Sequence, residues 1–145
     1  METRGKRNKN PFNIKRSSNM WLGKIPFSNS TDKTFEQFES LDFGLRAGIK
    51  LLIKYIRVDK LKTVRDIISR YAPLSENDSE QYIKFVTGYR HVLNGVDYTI
   101  YDDRKSIRFP SGQFNTLVMA ILDYESDFHI TDNDLAYIYK RFNFR

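Results

Sequence analysis

Residues Gln113 to Asp127 read QFNTLVMAILDYESD, and the fold turns on where this stretch sits. Phe114, Leu117, Val118, Ile121 and Leu122 recur at helical spacing and define one apolar face, so the stretch reads as a core helix. The next place on that stripe is Glu125. A carboxyl held against apolar surface has its charged form disfavoured, and its pKa moves up toward the range of a general acid at neutral pH. The alternative stays open at this level, because a stripe that runs out at a helix end often finishes on a solvated residue.

Working outward, the preceding residues carry a different period. Val96, Tyr98 and Ile100 alternate with polar residues, Asp102 to Lys105 can turn, and Ile107 with Phe109 supply a return strand, so a hairpin is expected over 96–109. Pro110, Ser111 and Gly112 break into the core helix. After it, Thr131 with Asp134 is an N-cap pattern opening a terminal helix with Leu135, Ile138 and Phe142 inward.

Upstream, Leu45, Ile49, Leu52 and Ile56 mark a helix from about Leu41 to Arg57. Gly44 and Gly48 lie four apart within it and suit close approach of another backbone, such as that of a β lobe. Arg46 between them reads as a solvated or ion-paired surface residue. Thr63 with Asp66 caps a short helix with Val64, Ile67, Ile68 and Tyr71 inward, and Pro73 ends it. Asn77 with Glu80 repeats the start signal, followed by a stripe of Tyr82, Phe85, Val86 and Tyr89; Glu76 and Asn77 then serve as helix-start chemistry.

The segment ending at Pro26, NPFNIKRSSNMWLGKIP, reads as a small β-like lobe bearing the single tryptophan, Trp21, either as local core or as groove lining. Met1 to Asn10 is polar and carries Arg4, Lys6, Arg7 and Lys9; it is a basic arm, either mobile or ordered against the body. Residues 11–145 form one domain of a size able to bury a real core. The fold class is mainly α, in the α+β sense, with a small β component.

Composition removes several chemistries. The 145-residue chain has no cysteine, which excludes disulfides, thiolate catalysis and cysteine-based metal sites. His91 and His129 have no spacing partner, so no metal is expected, and both read as surface or loop residues. There is no glycine-rich phosphate loop, G-x-S-x-G elbow, H-E-x-x-H or kinase signature, and no cofactor is expected. What remains is carboxylates, which suffice for cleavage of a glycosidic bond. The net charge of +6 and a pI near 9.5 suit a polyanionic partner: nucleic acid, anionic lipid or the phosphate-bearing polymers of an envelope. No apolar signal region or membrane-length run is visible, so synthesis in a cytoplasm without a cleaved signal is expected.

Asn10-Pro11-Phe12-Asn13-Ile14-Lys15, Trp21 and Gly23, Phe35, Phe38 and Ser40, Gly44-Leu45-Arg46-Ala47, Tyr71-Ala72-Pro73, Glu76-Asn77 and Tyr82 occur in one order. Together they resemble a family of small virion proteins of tailed phages and prophages. The family pattern is close to N-N-P-G-N-I-R, W-x-G, F-x-x-F, G-I-R-A, W-A-P, E-N-x-T-x-x-Y and a late A-M-I-x-x-E-N-G. This chain departs from it at Phe12 for Gly, Leu45 for Ile, Tyr71 for Trp, and Ser126-Asp127 for Asn-Gly. A more distant similarity is to flagellar-type N-acetylglucosaminidases of the lysozyme-like superfamily, in which a helix ending Glu-Ser-Gly precedes N-x-F-x-I-K, W-x-G and F-x-x-Y-x-S. Here Asn10 to Ser40 resembles the second part of that series and Glu125-Ser126 the first, moved to the C-terminus.

The resemblance implies a lysozyme-like helical domain with a small β lobe, circularly permuted by relocation of one surface cut. It implies Glu125 as general acid and later base, and Asp32 as the lobe acid, with Glu36 or Glu39 as substitutes. It further implies Trp21 and Tyr82 as sugar-stacking or groove-lining surfaces, and Asn13 as the residue that orients Glu125 or an N-acetyl group. Asp32 has an equal reading as a loop residue making a turn bond. The function implied is a phage peptidoglycan-cleaving glycosidase or lytic transglycosylase, located in the virion or host envelope. The partners implied are glycan strands and other virion proteins. Two other classes stand beside it: a non-catalytic virion or wall-binding protein, and a basic nucleic-acid binder.

Overall fold

The computed structural model describes residues 2–73 and 75–145; the side chains of Glu76 and Asn77 lie outside the described set. Among the described residues there are six α-helices, one two-stranded antiparallel sheet and a single 3-10 turn at Phe27–Asn29. The helices are α1 (Arg4–Arg7), α2 (Leu41–Arg57), α3 (Val64–Tyr71), α4 (Glu76–Val86), α5 (Gly112–Ser126) and α6 (Asp132–Arg141). The fold is therefore mainly helical with a small β component. None of these helices is long and apolar enough to cross a membrane.

α5 is the core helix. Phe114 and every residue from Thr116 to Leu122 are buried, so its middle is enclosed on all sides. α4 packs against both α3 and α5, α2 touches α3 and α6, and α1 lies on the C-terminal end of α5. The caps follow the sequence at two places. Thr63 accepts from the Asp66 amide, and Thr131 with Asp134 forms a full capping box. At α4 the cap is Ser75, two residues before the expected Asn77; its hydroxyl accepts from the Asp78 amide, the same cap-to-N3 geometry shifted by two residues.

Three expectations need correction. The hairpin spans 92–97, so Val96 belongs to its second strand and not its first: β1 (Val92–Leu93) pairs with β2 (Val96–Asp97) around Asn94-Gly95, both at positive φ, as a two-residue primed turn requires. Ile107 instead donates its amide to the Lys62 carbonyl at 2.6 Å, beside a bridge between Thr63 and Ser106. The expected β lobe is a set of extended segments joined by isolated bridges, Lys15 with Phe35 and Lys24 with Phe38. His91 is buried, not on the surface, and its ring links Thr116 of α5 (2.7 Å) to Asp132 of α6 (2.8 Å).

The two glycines of α2 receive the N-terminal segment. A Cβ at Gly44 would collide with the Lys9 carbonyl, and one at Gly48 with the Phe12 ring. The basic N-terminal stretch is thus ordered against the body, with Asn8 and Asn10 buried.

Candidate functional site

The site is assembled by the turn at Asn10. Its buried amide donates to the Ile14 and Glu36 carbonyls, each at 3.0 Å, while its side-chain oxygen accepts from the Ile14 amide at 3.0 Å. This closes Pro11, Phe12 and Asn13 into a loop, and Asn13 takes a left-handed φ of 54°, which Asn tolerates better than most residues. From there Asn13 Nδ2 donates to both the carboxyl and the carbonyl of Glu125, each at 3.1 Å, joining positions 112 residues apart.

The end of α5 locks onto the same segment. Ser126 Oγ donates to the Pro11 carbonyl at 2.8 Å, Thr3 Oγ1 donates to the Ser126 carbonyl at 2.9 Å, and Gly5 leaves room for the serine hydroxyl. Tyr71 donates its hydroxyl to the Phe12 carbonyl. Asp127 stops the helix at φ 48° and ψ 42°, the left-handed place that glycine fills most cheaply. The Ser-Asp departure after Glu125 therefore keeps the helix end and its hold on the N-terminal loop.

Glu125 is half-buried on the wall of a groove of about 510 Å³. Asn13, Lys15, Trp21, Tyr71, Tyr82 and Tyr124 share that wall, and Glu125 is the one carboxylate among the described residues lining it. Burial pushes its carboxyl above the ordinary value, opposed by Asn13, by the nearby Tyr82 hydroxyl and by the Lys15 charge. The Tyr82 hydroxyl itself meets full hydrogen-bond geometry with no group among the described residues, although it lies close enough to favour the charged form of Glu125. Trp21 Nε1 and Asn13 Oδ1 are likewise buried without a hydrogen-bond partner among the described residues, an unusual concentration of unmet polar valence at one wall.

Glu125, Asn13, Trp21 and Tyr82 thus converge on one groove, and Asp32 does not. Asp32, 7% exposed, is consumed by structure: Arg4 grips it through two bonds at 2.6 and 2.8 Å. Asn8 and the amides of Thr34 and Phe35 complete its shell. Led by Arg4, these donors hold its carboxyl far below the usual carboxylate range. Neither substitute acid lines the groove. Glu36 is buried in an ion pair with Lys24 at 3.0 Å, and Glu39 is exposed.

Of the two roles expected of Tyr82, groove lining fits its place in the wall and an open stacking face does not. Its side chain is 0% exposed and its ring stacks with Tyr124 at 3.9 Å between centroids, so only its polar end approaches Glu125. Tyr124, 39% exposed, carries the outer ring face. Its place next to Glu125 in sequence was the available signal for it. On the surface, Asp123, Asp127 and His129 bring possible ligand atoms within 4.8 Å of one another, an arrangement that exposed groups commonly show without an ion.

Fold and site together define a mainly helical domain with a groove built around one half-buried carboxyl. Over 86 residues, 57% of this chain, it is 43% identical to Protein P5 of Pseudoalteromonas phage PM2, a phage protein. That match covers 52% of the relative, so the chain spans about half the length of the protein it resembles. No protein-family model matches the chain.

Proposed function

We propose that this chain is a phage-derived, permuted lysozyme-like domain that cleaves peptidoglycan glycan strands with Glu125 as its single acid. The observation that carries this reading is a raised, half-buried carboxyl held by Asn13 in a groove with an aromatic and polar wall. Single-acid chemistry favours intramolecular transglycosylation over hydrolysis, because a groove with no second carboxylate among the described residues offers from them neither the nucleophile nor the base of the two-acid mechanisms. Protonated Glu125 gives its proton to the glycosidic oxygen as the bond from that oxygen to C1 breaks. The same carboxylate then takes the proton of the sugar's own 6-hydroxyl as that oxygen bonds to C1, so no water is consumed. Asn13 holds the carboxylate in place after the first transfer, and Tyr82 favours the charge that appears there.

Incubation of the purified protein with cell-wall glycan, followed by mass spectrometry of the released sugars, tests this. Anhydro-ended fragments are expected, lost in Glu125→Gln with the fold intact. Reducing ends in place of anhydro ends would assign hydrolysis. Intact walls with a folded wild-type protein would overturn the catalytic reading and leave a non-catalytic virion or wall-binding role.

A further inference from the structure

The groove that holds Glu125 ends at a ridge of Asn19, Trp21 and Leu51, and beyond that ridge lies a second hollow of about 630 Å³. Its other lining residues are Met20, Leu22, Arg46, Lys50 and Lys54, with no carboxylate among those described. Arg46, Lys50 and Lys54 follow at four-residue intervals along α2 and so form one stripe. No ion pair involves Arg46 or Lys50 among the described residues; Lys54 meets Asp59 at 3.2 Å on exposed surface. Beside this stripe Met20 is 92% exposed and Leu22 50%, either side of Trp21.

Two costs are concentrated here, apolar side chains in water and like charges side by side, two of the three with no carboxylate partner among the described residues. A polynucleotide would answer only the second, since single strands are met by open aromatic faces. The exposed groups here are aliphatic, while Trp21 is half-buried with its indole nitrogen enclosed. An anionic bilayer answers both, with headgroup phosphates for the cations and the acyl boundary for Met20 and Leu22. We infer that this face docks on an anionic phospholipid surface. The shared ridge then sets the Glu125 groove beside the headgroups. The inference does not depend on Glu125 being catalytic.

Sedimentation of the full chain with lipid vesicles tests it. Binding is expected to vesicles containing phosphatidylglycerol and not to pure phosphatidylcholine. Met20→Ser with Leu22→Ser should weaken binding about tenfold by removing the apolar anchor. Lys50→Gln with Lys54→Gln should weaken it by about tenfold or more. Lys33→Gln with Lys62→Gln, an equal charge loss away from this hollow, should leave it near wild type, and all variants should keep their melting temperature. Equal weakening by the control pair, or no effect of the Met20 and Leu22 changes, overturns the inference. So does duplex DNA binding through Lys50 and Lys54 that ignores Met20 and Leu22 while vesicles remain unbound. Because the assay reads lipid association alone, its failure leaves the glycan-cleavage reading standing, and the reverse holds as well.

Discussion

Glu125 is a position where the burial of a carboxyl works against stability. Its carboxyl is raised above 4.5 chiefly by burial, so the folded protein holds that proton more tightly than the unfolded chain does. Stability is therefore lost as pH rises from the ordinary carboxyl range through the raised value, and the penalty persists at neutral pH. Glu125→Gln removes the titration and keeps an oxygen for Asn13. It should melt higher than wild type at neutral pH, with the difference vanishing below the ordinary carboxyl range; thermal melts across that range check it. Asn13→Gly keeps the left-handed turn but deletes the donor that favours the carboxylate. It should raise the Glu125 pKa further, seen as an upward shift of that carboxyl carbon in an NMR titration.

At the scale of elements, the joints between the N-terminal segment and the helices α2 and α5 decide whether the groove exists. Gly44→Ala improves helix propensity by about 1 kcal/mol but drives a methyl into the Lys9 carbonyl, a backbone group that cannot rotate away. Overpacking of that kind costs about 1–3 kcal/mol, so a net loss in denaturant midpoint is expected. The end of α5 gives the opposite sign. Asp127 sits in the left-handed region without the freedom of glycine, and Asp127→Gly should stabilise the protein by about 0.5–1 kcal/mol, measured the same way. α2, α3, α5 and α6 were legible in the sequence because their apolar periods and local caps agree, as at Thr63 and Thr131. The hairpin was misplaced because alternation at Val96 to Ile100 outweighed Asn94-Gly95, the stronger turn signal.

For the molecule as a whole, Asp32 is a fastener between the N-terminal residues and the lobe. Its folded pKa lies below the ordinary 3.8, so the stability it contributes is present above that value and is lost as pH falls beneath it. Asp32→Ala strips the acceptor from the buried Asn8 amide and the Phe35 amide, a loss of about 2–3 kcal/mol at neutral pH. Melts of this variant should also show a flatter decline below the ordinary carboxyl range than wild type. Because the fastened segment leads into the Asn13 loop, any cleavage of glycan should fall along with stability, although Asp32 is not itself among the residues lining the groove.

The sequence by itself determined helices α2, α3, α5 and α6 and the core face of α5, and it singled out Glu125 as a candidate, since each follows from spacing and from the chemistry of one short stretch. Only the tertiary structure decided which carboxylates are taken up by cations and which one faces the groove. Arg4 neutralises Asp32 across 28 residues, Lys24 takes Glu36, and Asn13 reaches Glu125 across 112. Tyr124 closes over Tyr82 and converts an expected stacking surface into a buried hydroxyl. The physical reason is common to all four. The charge and access of a polar side chain are set by neighbours brought from elsewhere in the chain, and periodicity carries no record of them.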